Sequence, residues 1–312
     1  MSIKANKTVV GGIIPPMVTP LLSDNLSLDI KGVNNLLEHI IAGGVHGVFV
    51  LGTTGESTSL SYKTREKLIN ETCKIVNGRI PVFVGITDTS IEESLQLASI
   101  AKKAGASYLV AAPPYYYGLG QEELYKYYWK LADLLPLPLF LYNMPSHTKI
   151  NIDAKTVVRL SEHSNIVGLK DSSANTVYFQ SLCYLLKSKP DFSLIVGPEE
   201  ITAETILMGG KGGVNGGANM FPKLYVALYN AAVAKDLARI EALQSLVMDI
   251  TTSIYTLGSY GSSYLKGLKG ALATLGIIQP HIAPPFSCFD EKEMREVVRN
   301  IKRIEIEMAK VL

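Results

Sequence analysis

The chain has 312 residues, 47% of them hydrophobic and 19% charged, so it can bury a large core and lacks the polar, aromatic-poor composition of a disordered segment. Its formal net charge is only +2, and its lysines and arginines are spread along helical patterns with no basic block, which argues against nucleic-acid binding. Cys73, Cys183 and Cys288 are odd in number, far apart and without a CxxC pair, a pattern expected of reduced thiols in a cytoplasmic protein and not of a disulfide framework.

The N-terminal run MSIKANKTVVGGIIPPMVTP is interrupted by Gly and Pro and is too short to span a membrane. No secretory signal is evident, so the N-x-S/T triplets at Asn6, Asn25 and Asn70 are read as silent. From there short apolar, β-rich runs alternate with amphipathic helical stretches. Strands are predicted over 12–19, 47–53, 81–87, 108–114, 137–143, 166–172, 193–199 and 212–218. Between them lie patterns such as LDIKGVNNLLEHIIAGG and SIEESLQLASIAKKAG, several ending in the glycine of a helix C-cap. Eight such repeats predict a (β/α)8 TIM barrel over residues 1–222, with its catalytic groups at the C-terminal ends of the strands. After residue 222 the strand signals stop. LARIEALQSLVMDITTSIYTLG, SYLKGLKGALATLG and DEKEMREVVRNIKRIEIEMAKVL read as helices. No linker precedes them, so residues 223–312 are expected to form a C-terminal helical extension packed on the barrel or on another subunit.

Lys170 lies in VGLKDSS, an apolar strand pattern ending in small polar residues. A lysine buried there without a permanent anionic partner has a lowered pKa, and its neutral amine can attack a ketone to form an imine, an electron sink. The competing reading is a solvated lysine with Asp171 as an ordinary neighbour. A barrel would gather further polar groups at the same rim: Gly52-Thr53-Thr54-Gly55-Glu56-Ser57 after strand two, Pro113 to Tyr117 after strand four, and Tyr142-Asn143-Met144-Pro145 after strand five. The glycines allow tight turns, whose amides and threonine hydroxyls can hold a small carboxylate. Tyr142 suits proton transfer beside an amine, although a strand-tip phenol can equally be packing. Tyr115, Tyr116 and Tyr117 read as a lid or an interface patch. GGKGGVNGG lacks the residue order of a nucleotide-binding loop, and GESTS misses the G-x-S-x-G elbow. None of the five histidines shows metal-ligand spacing, and only His147 lies near the predicted rim.

With GTTGES at 52, the PYY step at 114, YNMP at 142 and GLKDSS at 168 in this order, nearly the whole chain resembles the dihydrodipicolinate synthase / N-acetylneuraminate lyase family of pyruvate-dependent class I aldolases. The resemblance implies that Lys170 forms the Schiff base with a 2-oxo acid. It also implies that Tyr142 relays protons, with Thr53 and Tyr116 completing a hydroxyl chain and Thr54 binding the carboxylate. Gly55 and Val214 are implied as further substrate-binding positions. No metal or organic cofactor is implied. Tyr116 would reach in from a neighbouring subunit of a homotetramer or homodimer.

Two departures bear on the aldehyde partner. His147 stands where the synthases usually have the arginine that binds its carboxylate. Glu199 and Glu200 look like the acidic pair with which sugar-acid lyases hold substrate hydroxyls. Tyr62 and Arg65 replace histidines of the synthase lysine site, which argues against lysine feedback. The expectations are a synthase-like aldolase or a degradative 2-keto-3-deoxy sugar acid aldolase, dehydratase or N-acetylneuraminate lyase-like enzyme. From a different class, a non-catalytic 2-oxo acid sensor or scaffold would keep the fold alone.

Overall fold

The computed structural model describes residues 9–258 and 260–312; Asn6, with the rest of residues 1–8, lies outside the described residues. Eight parallel strands form one sheet in the order β1-β8-β7-β6-β5-β4-β3-β2: β1 (Gly12–Ile13), β2 (Val48–Val50), β3 (Val82–Gly85), β4 (Tyr108–Ala111), β5 (Leu139–Asn143), β6 (Ile166–Asp171), β7 (Ser193–Val196) and β8 (Gly212–Gly213). Each falls inside a predicted run, but the first and last are only two residues long.

The physical reason differs at the two ends. In the first run Pro15 and Pro16 have no N–H to give to a ladder. The chain nevertheless continues beside β2, where the Met17 amide donates to Phe49 O at 2.8 Å and the Phe49 amide to Pro15 O at 2.9 Å, which closes the ring into a (β/α)8 barrel. In the last run the backbone leaves the sheet for a 3-10 turn at Gly216–Asn219. Gly212 is forced by proximity, because a Cβ there would lie 2.0 Å from Gly12 O.

The helices of the outer layer are α1 (Ile30–Ala42), α2 (Tyr62–Val76), α3 (Ile91–Ala104), α4 (Gln121–Leu134), α5 (Pro145–Thr148), α6 (Ala154–Leu160), α7 (Thr176–Leu185), α8 (Thr202–Leu207) and α9 (Pro222–Ala234). Their ends follow local chemistry. In α3 the Ser90 side chain accepts from the Glu93 amide, and Gly105 ends the helix at φ 94°. Its apolar stripe, Leu97, Ala98 and Ala101, is buried.

Helix α9 packs on β1 and α8 and so completes the outer ring. The outer ring thus includes residues 222–234, which lie across the expected boundary at 222/223. The extension itself comprises α10 (Leu237–Ile250), a π-helical turn at Thr251–Tyr255, α11 (Ser263–Thr274) and α12 (Glu291–Val311). Helix α12 opens with a capping box between Asp290 and Glu293. Helix α10 rests on the turn Glu199–Ile201 that follows β7, which docks the extension on the barrel rim.

One continuous apolar core lies between strands and helices, and a second fills the barrel. Strand pleating sorts the side chains. On β5, Leu139 and Leu141 face the helices while Phe140 and Tyr142 face inward. Ile14, Phe49, Phe83, Val110, Phe140, Ile195 and Val214 surround a small internal space together with Lys170. Burial of each such large side chain contributes about 2 kcal/mol and gives the site a rigid floor. Among the described residues no helix is long and apolar enough to cross a membrane.

Candidate active site

Lys170 is the fifth residue of β6 and sits beside Tyr142 of β5 in the strand register. It is only 5% exposed. Its amine lies 3.9 Å from the centre of the Tyr142 ring and 5.1 Å from that of Phe49. The next residue points the opposite way, and Asp171 is held by Asn143 Nδ2 at 3.0 Å and by the amide and hydroxyl of Ser173. Among the described residues Lys170 has no carboxylate partner within ion-pair distance.

The phenol of Tyr142 is hydrogen-bonded to Thr53 Oγ1 at 3.1 Å. Burial pushes this phenol up, but the charge of Lys170 and hydrogen bonds with Thr53, Lys170 and Ser172 outweigh that effect and hold it below the ordinary phenol value. Amine, phenol and hydroxyl thus stand in one row. Such a row can exchange protons with a group bound at the amine.

The GTTGES loop is a chain of tight turns. Gly55 N–H donates to Gly52 O, Glu56 N–H to Thr53 O and Ser57 N–H to Gly52 O. Among the described residues the amides of Thr53 and Thr54 have no protein acceptor. The Gly55 amide belongs to the turn, so its place is structural. A Cβ there would meet Met17 O at 3.1 Å. The loop is clamped from below by a buried ion pair between Glu56 and Lys269 of α11. Glu56 Oε1 also accepts from the Ala283 amide at 2.7 Å, and Lys269 donates to His281 O at 2.6 Å. Burial, partly countered by Glu56, lowers the Lys269 pKa.

Above this row opens a cleft of about 410 Å³. Its lining includes Thr53, Ser57, Thr58, Ser59, Thr87 and Tyr142, with His147 at one side and Pro285 and Phe286 from the extension across the mouth. Among the described residues no lysine or arginine is in this lining. His147 is bonded through Nδ1 to Ser146 Oγ at 2.9 Å. Burial first, then the charges of Lys149 and Lys170, hold its pKa below the ordinary imidazole value, so it is neutral at pH 7.

Lys170, Tyr142, Thr53 and His147 are brought together, Thr54 follows Thr53 with its hydroxyl against Tyr264, and Val214 forms part of the barrel floor beneath the amine. Tyr116 is not with them: it is 79% exposed, stacked edge-on against Tyr117 outside the cleft. Glu199 and Glu200 also stand apart from the cleft lining. Glu199 is buried, with Oε1 accepting from Tyr225 at 2.5 Å and Tyr255 at 2.9 Å and Oε2 from the Gly217 amide at 2.9 Å. Glu200 accepts from Thr251 at 3.2 Å. In this chain Glu199 is held by Tyr225 and Gly217 of the barrel and by Tyr255 of the extension, and Glu200 by Thr251 of the extension, and neither lines the cleft.

Tyr62 and Arg65 both bond Asp88, at 2.9 and 3.3 Å. Sequence reasoning missed Glu56, Lys269, Tyr264 and Phe286. Glu56 lay inside a motif already singled out, but its partner is more than two hundred positions away.

A family model described as the dihydrodipicolinate synthetase family matches residues 9–304. The fold superposes with a TM-score of 0.92 on dihydrodipicolinate synthase from the commensal bacterium Bacteroides thetaiotaomicron, at 56% identity over 94% of this chain and 98% of that one. It superposes with a TM-score of 0.90 on YagE, a prophage protein of the same family from Escherichia coli K12 in complex with pyruvate, at 28% identity over 96% of this chain and 99% of that one. The probable 2-dehydro-3-deoxy-D-pentonate aldolase YjhH of Escherichia coli is 33% identical over 277 residues, 88% of this chain and 90% of that protein. A matched family model along almost the full length, together with the lysine, tyrosine and threonine at one strand-end cleft, places the chain in the dihydrodipicolinate synthetase family, as a lyase of the aldolase type.

Proposed function

We propose that the protein is a pyruvate-dependent class I aldolase working through Lys170. The observation that carries this is the Lys170 amine, buried against the Tyr142 ring without a carboxylate partner among the described residues, beside a phenol bonded to Thr53. The amine nitrogen adds to the ketone carbon of pyruvate, the C–O bond breaks and water leaves, giving a protonated imine. Loss of a proton from the methyl carbon sends the C–H electrons to the imine nitrogen. The resulting enamine carbon attacks an aldehyde, a C–C bond forms and the aldehyde oxygen takes up a proton. Water then hydrolyses the imine and restores the amine. The reverse sequence cleaves the same bond. The imine is the electron sink, so the reading needs no metal or organic cofactor.

Tyr142 moves the protons, with Thr53 beside it. The Thr53 and Thr54 amides and the Thr54 hydroxyl receive the carboxylate. Tyr116, projecting away from its own cleft, completes the hydroxyl chain of a neighbouring subunit in a homotetramer or homodimer. The protein acts in the cytoplasm. Its pyruvate specificity is supported by the likeness to YagE, which was solved with pyruvate.

Two acceptor readings divide at one position. Likeness to the Bacteroides synthase favours aspartate semialdehyde. Above Lys170 the cleft lining holds no further lysine or arginine among the described residues, and this, with neutral His147 and the hydroxyls of Ser57, Thr58, Ser59 and Thr87, favours an uncharged hydroxylated aldehyde, as does likeness to the pentonate aldolase. A His147→Arg variant that gains activity with aspartate semialdehyde by tenfold or more would establish that the native acceptor is not a carboxylate aldehyde. Full synthase activity in the unaltered protein, with no gain on substitution, would eliminate the second reading.

The first experiment is intact-protein mass spectrometry after borohydride reduction with pyruvate, with peptide mapping. A pyruvate-sized adduct on Lys170 is expected. Trapping only with longer 2-oxo-3-deoxy acids would transfer the proposal to a dehydratase or sugar-acid aldolase, and no adduct with any 2-oxo acid would leave the sensor or scaffold reading.

A further inference from the structure

The barrel rim and the C-terminal extension meet at a buried cluster of phenols. Tyr264, in the first turn of α11, reaches the rim and its hydroxyl lies 3.1 Å from Thr54 Oγ1. The phenol passes so close to the turn after β8 that a Cβ on Gly216 would lie 1.9 Å from its oxygen. Its ring meets the edge of Tyr255 at 4.8 Å between centres, and Tyr255, on the π-helical turn, donates to Glu199 at 2.9 Å. Glu199 in turn fixes Tyr225 and the Gly217 amide. A Cβ on Gly217 would collide with the Tyr225 hydroxyl at 1.9 Å, so both glycines are required for the phenols to reach inward. A π turn, rare and concentrated at functional sites, is the element that brings Tyr255 into this wall.

The geometry points to Tyr264 as a positioning residue: backed by the Glu199–Tyr225–Tyr255 cluster, it donates to Thr54 Oγ1 and thereby turns the Thr54 hydroxyl proton toward the carboxylate of the bound 2-oxo acid. A hydroxyl has one proton and two acceptor sites. When the phenol occupies one acceptor site, the Thr54 proton is left for the substrate. Burial, with Glu199 nearby, raises the Tyr264 phenol above its ordinary value, so it retains the proton that a donor needs. The extension is thus part of substrate recognition and not only packing. This inference rests on the proposed reading in which Thr54 binds the pyruvate carboxylate.

The test follows exchange of the pyruvate methyl protons with deuterium by NMR, which needs the imine and enamine but no aldehyde. Tyr264→Phe in the full chain is expected to raise half-saturating pyruvate about fivefold, the worth of one hydrogen bond, with the maximal exchange rate kept within a factor of two. Tyr255→Phe, one step further out, is expected to shift half-saturation in the same direction by less, and it serves if Tyr264→Phe fails to fold. Thr54→Val should erase the effect, so that Thr54→Val with Tyr264→Phe is no weaker in binding than Thr54→Val alone. An unchanged half-saturation, a fall confined to the maximal rate, or additive effects in the double variant would overturn the inference. Absence of both exchange and a borohydride-trapped Lys170 adduct in the unaltered protein would remove the proposed function and this inference with it.

Discussion

Tyr142 and Lys170 share one face of adjacent strands, and each changes what the other can do. The Lys170 charge is the leading stabiliser of the phenolate. Removing the phenol without the amine should therefore separate proton movement from imine formation. Tyr142→Phe is expected to slow methyl-proton exchange by roughly 10² to 10⁴-fold, the usual worth of a positioned acid or base, while borohydride still traps pyruvate on Lys170. Loss of trapping together with exchange would assign Tyr142 a role in building the site instead. Glu199 makes a different demand on the fold. Burial is the main cause that raises its carboxyl from 4.5 to about 7; the Gly217 amide and the Tyr225 and Tyr255 phenols pull it down, and Glu200 pushes it up. Between those values the folded protein keeps a proton that the unfolded chain has released. The group's stabilising contribution is therefore complete below pH 4.5 and lost as the pH climbs through 7, a change of about 3 kcal/mol. Denaturant titrations across this range should show the unaltered protein losing that much more than Glu199→Gln, and parallel curves would refute the account. Of these residues, Lys170 and Tyr142 were legible because each sits in a local pattern that only a strand end explains. Tyr264 was not, since its partner Thr54 is 210 positions away and nothing near it in the sequence is unusual.

At the level of elements, the strands of the middle of the barrel were readable because β-rich apolar runs have only one place to go when helices cover both ends of each repeat. The two-residue strands β1 and β8 were legible as positions but not as lengths, because proline and glycine terminate ladders without erasing apolar character. The ion pair of Glu56 and Lys269 joins a barrel loop to α11, and both side chains are at most 2% exposed. Two charges removed from water together are tolerable; one alone is not. Lys269→Met should thus lower unfolding stability by about 3 to 5 kcal/mol, and adding Glu56→Gln should restore part of it. Calorimetry or guanidinium unfolding measures both, and a Lys269→Met protein of unaltered stability would show that Glu56 finds another partner. The same pair was invisible in the sequence for the reason that governs all tertiary contacts: its members are distant in the chain and each resembles an ordinary surface residue.

Across the whole molecule, the Thr53 hydroxyl has no hydrogen-bond partner besides Tyr142 among the described residues, and Tyr116 projects outward at 79% exposure beside Tyr117. A pair of copies exchanging this residue would satisfy both observations. Mixed assemblies of Lys170→Ala and Tyr116→Phe chains, made by dissociation and reassociation, contain sites with an intact lysine from one copy and an intact tyrosine from the other. Activity well above that of either variant alone is expected, and simple averaging would place Tyr116 outside the reaction.

The last quarter of the chain supplies Tyr264, Lys269 and the Pro285–Phe286 edge of a cleft whose lysine comes from residue 170. Synthesis proceeds from the other end. A growing polypeptide therefore carries Lys170 for more than ninety residues before Tyr264 has been made. The lining of the cleft is complete only when the ribosome has passed residue 286.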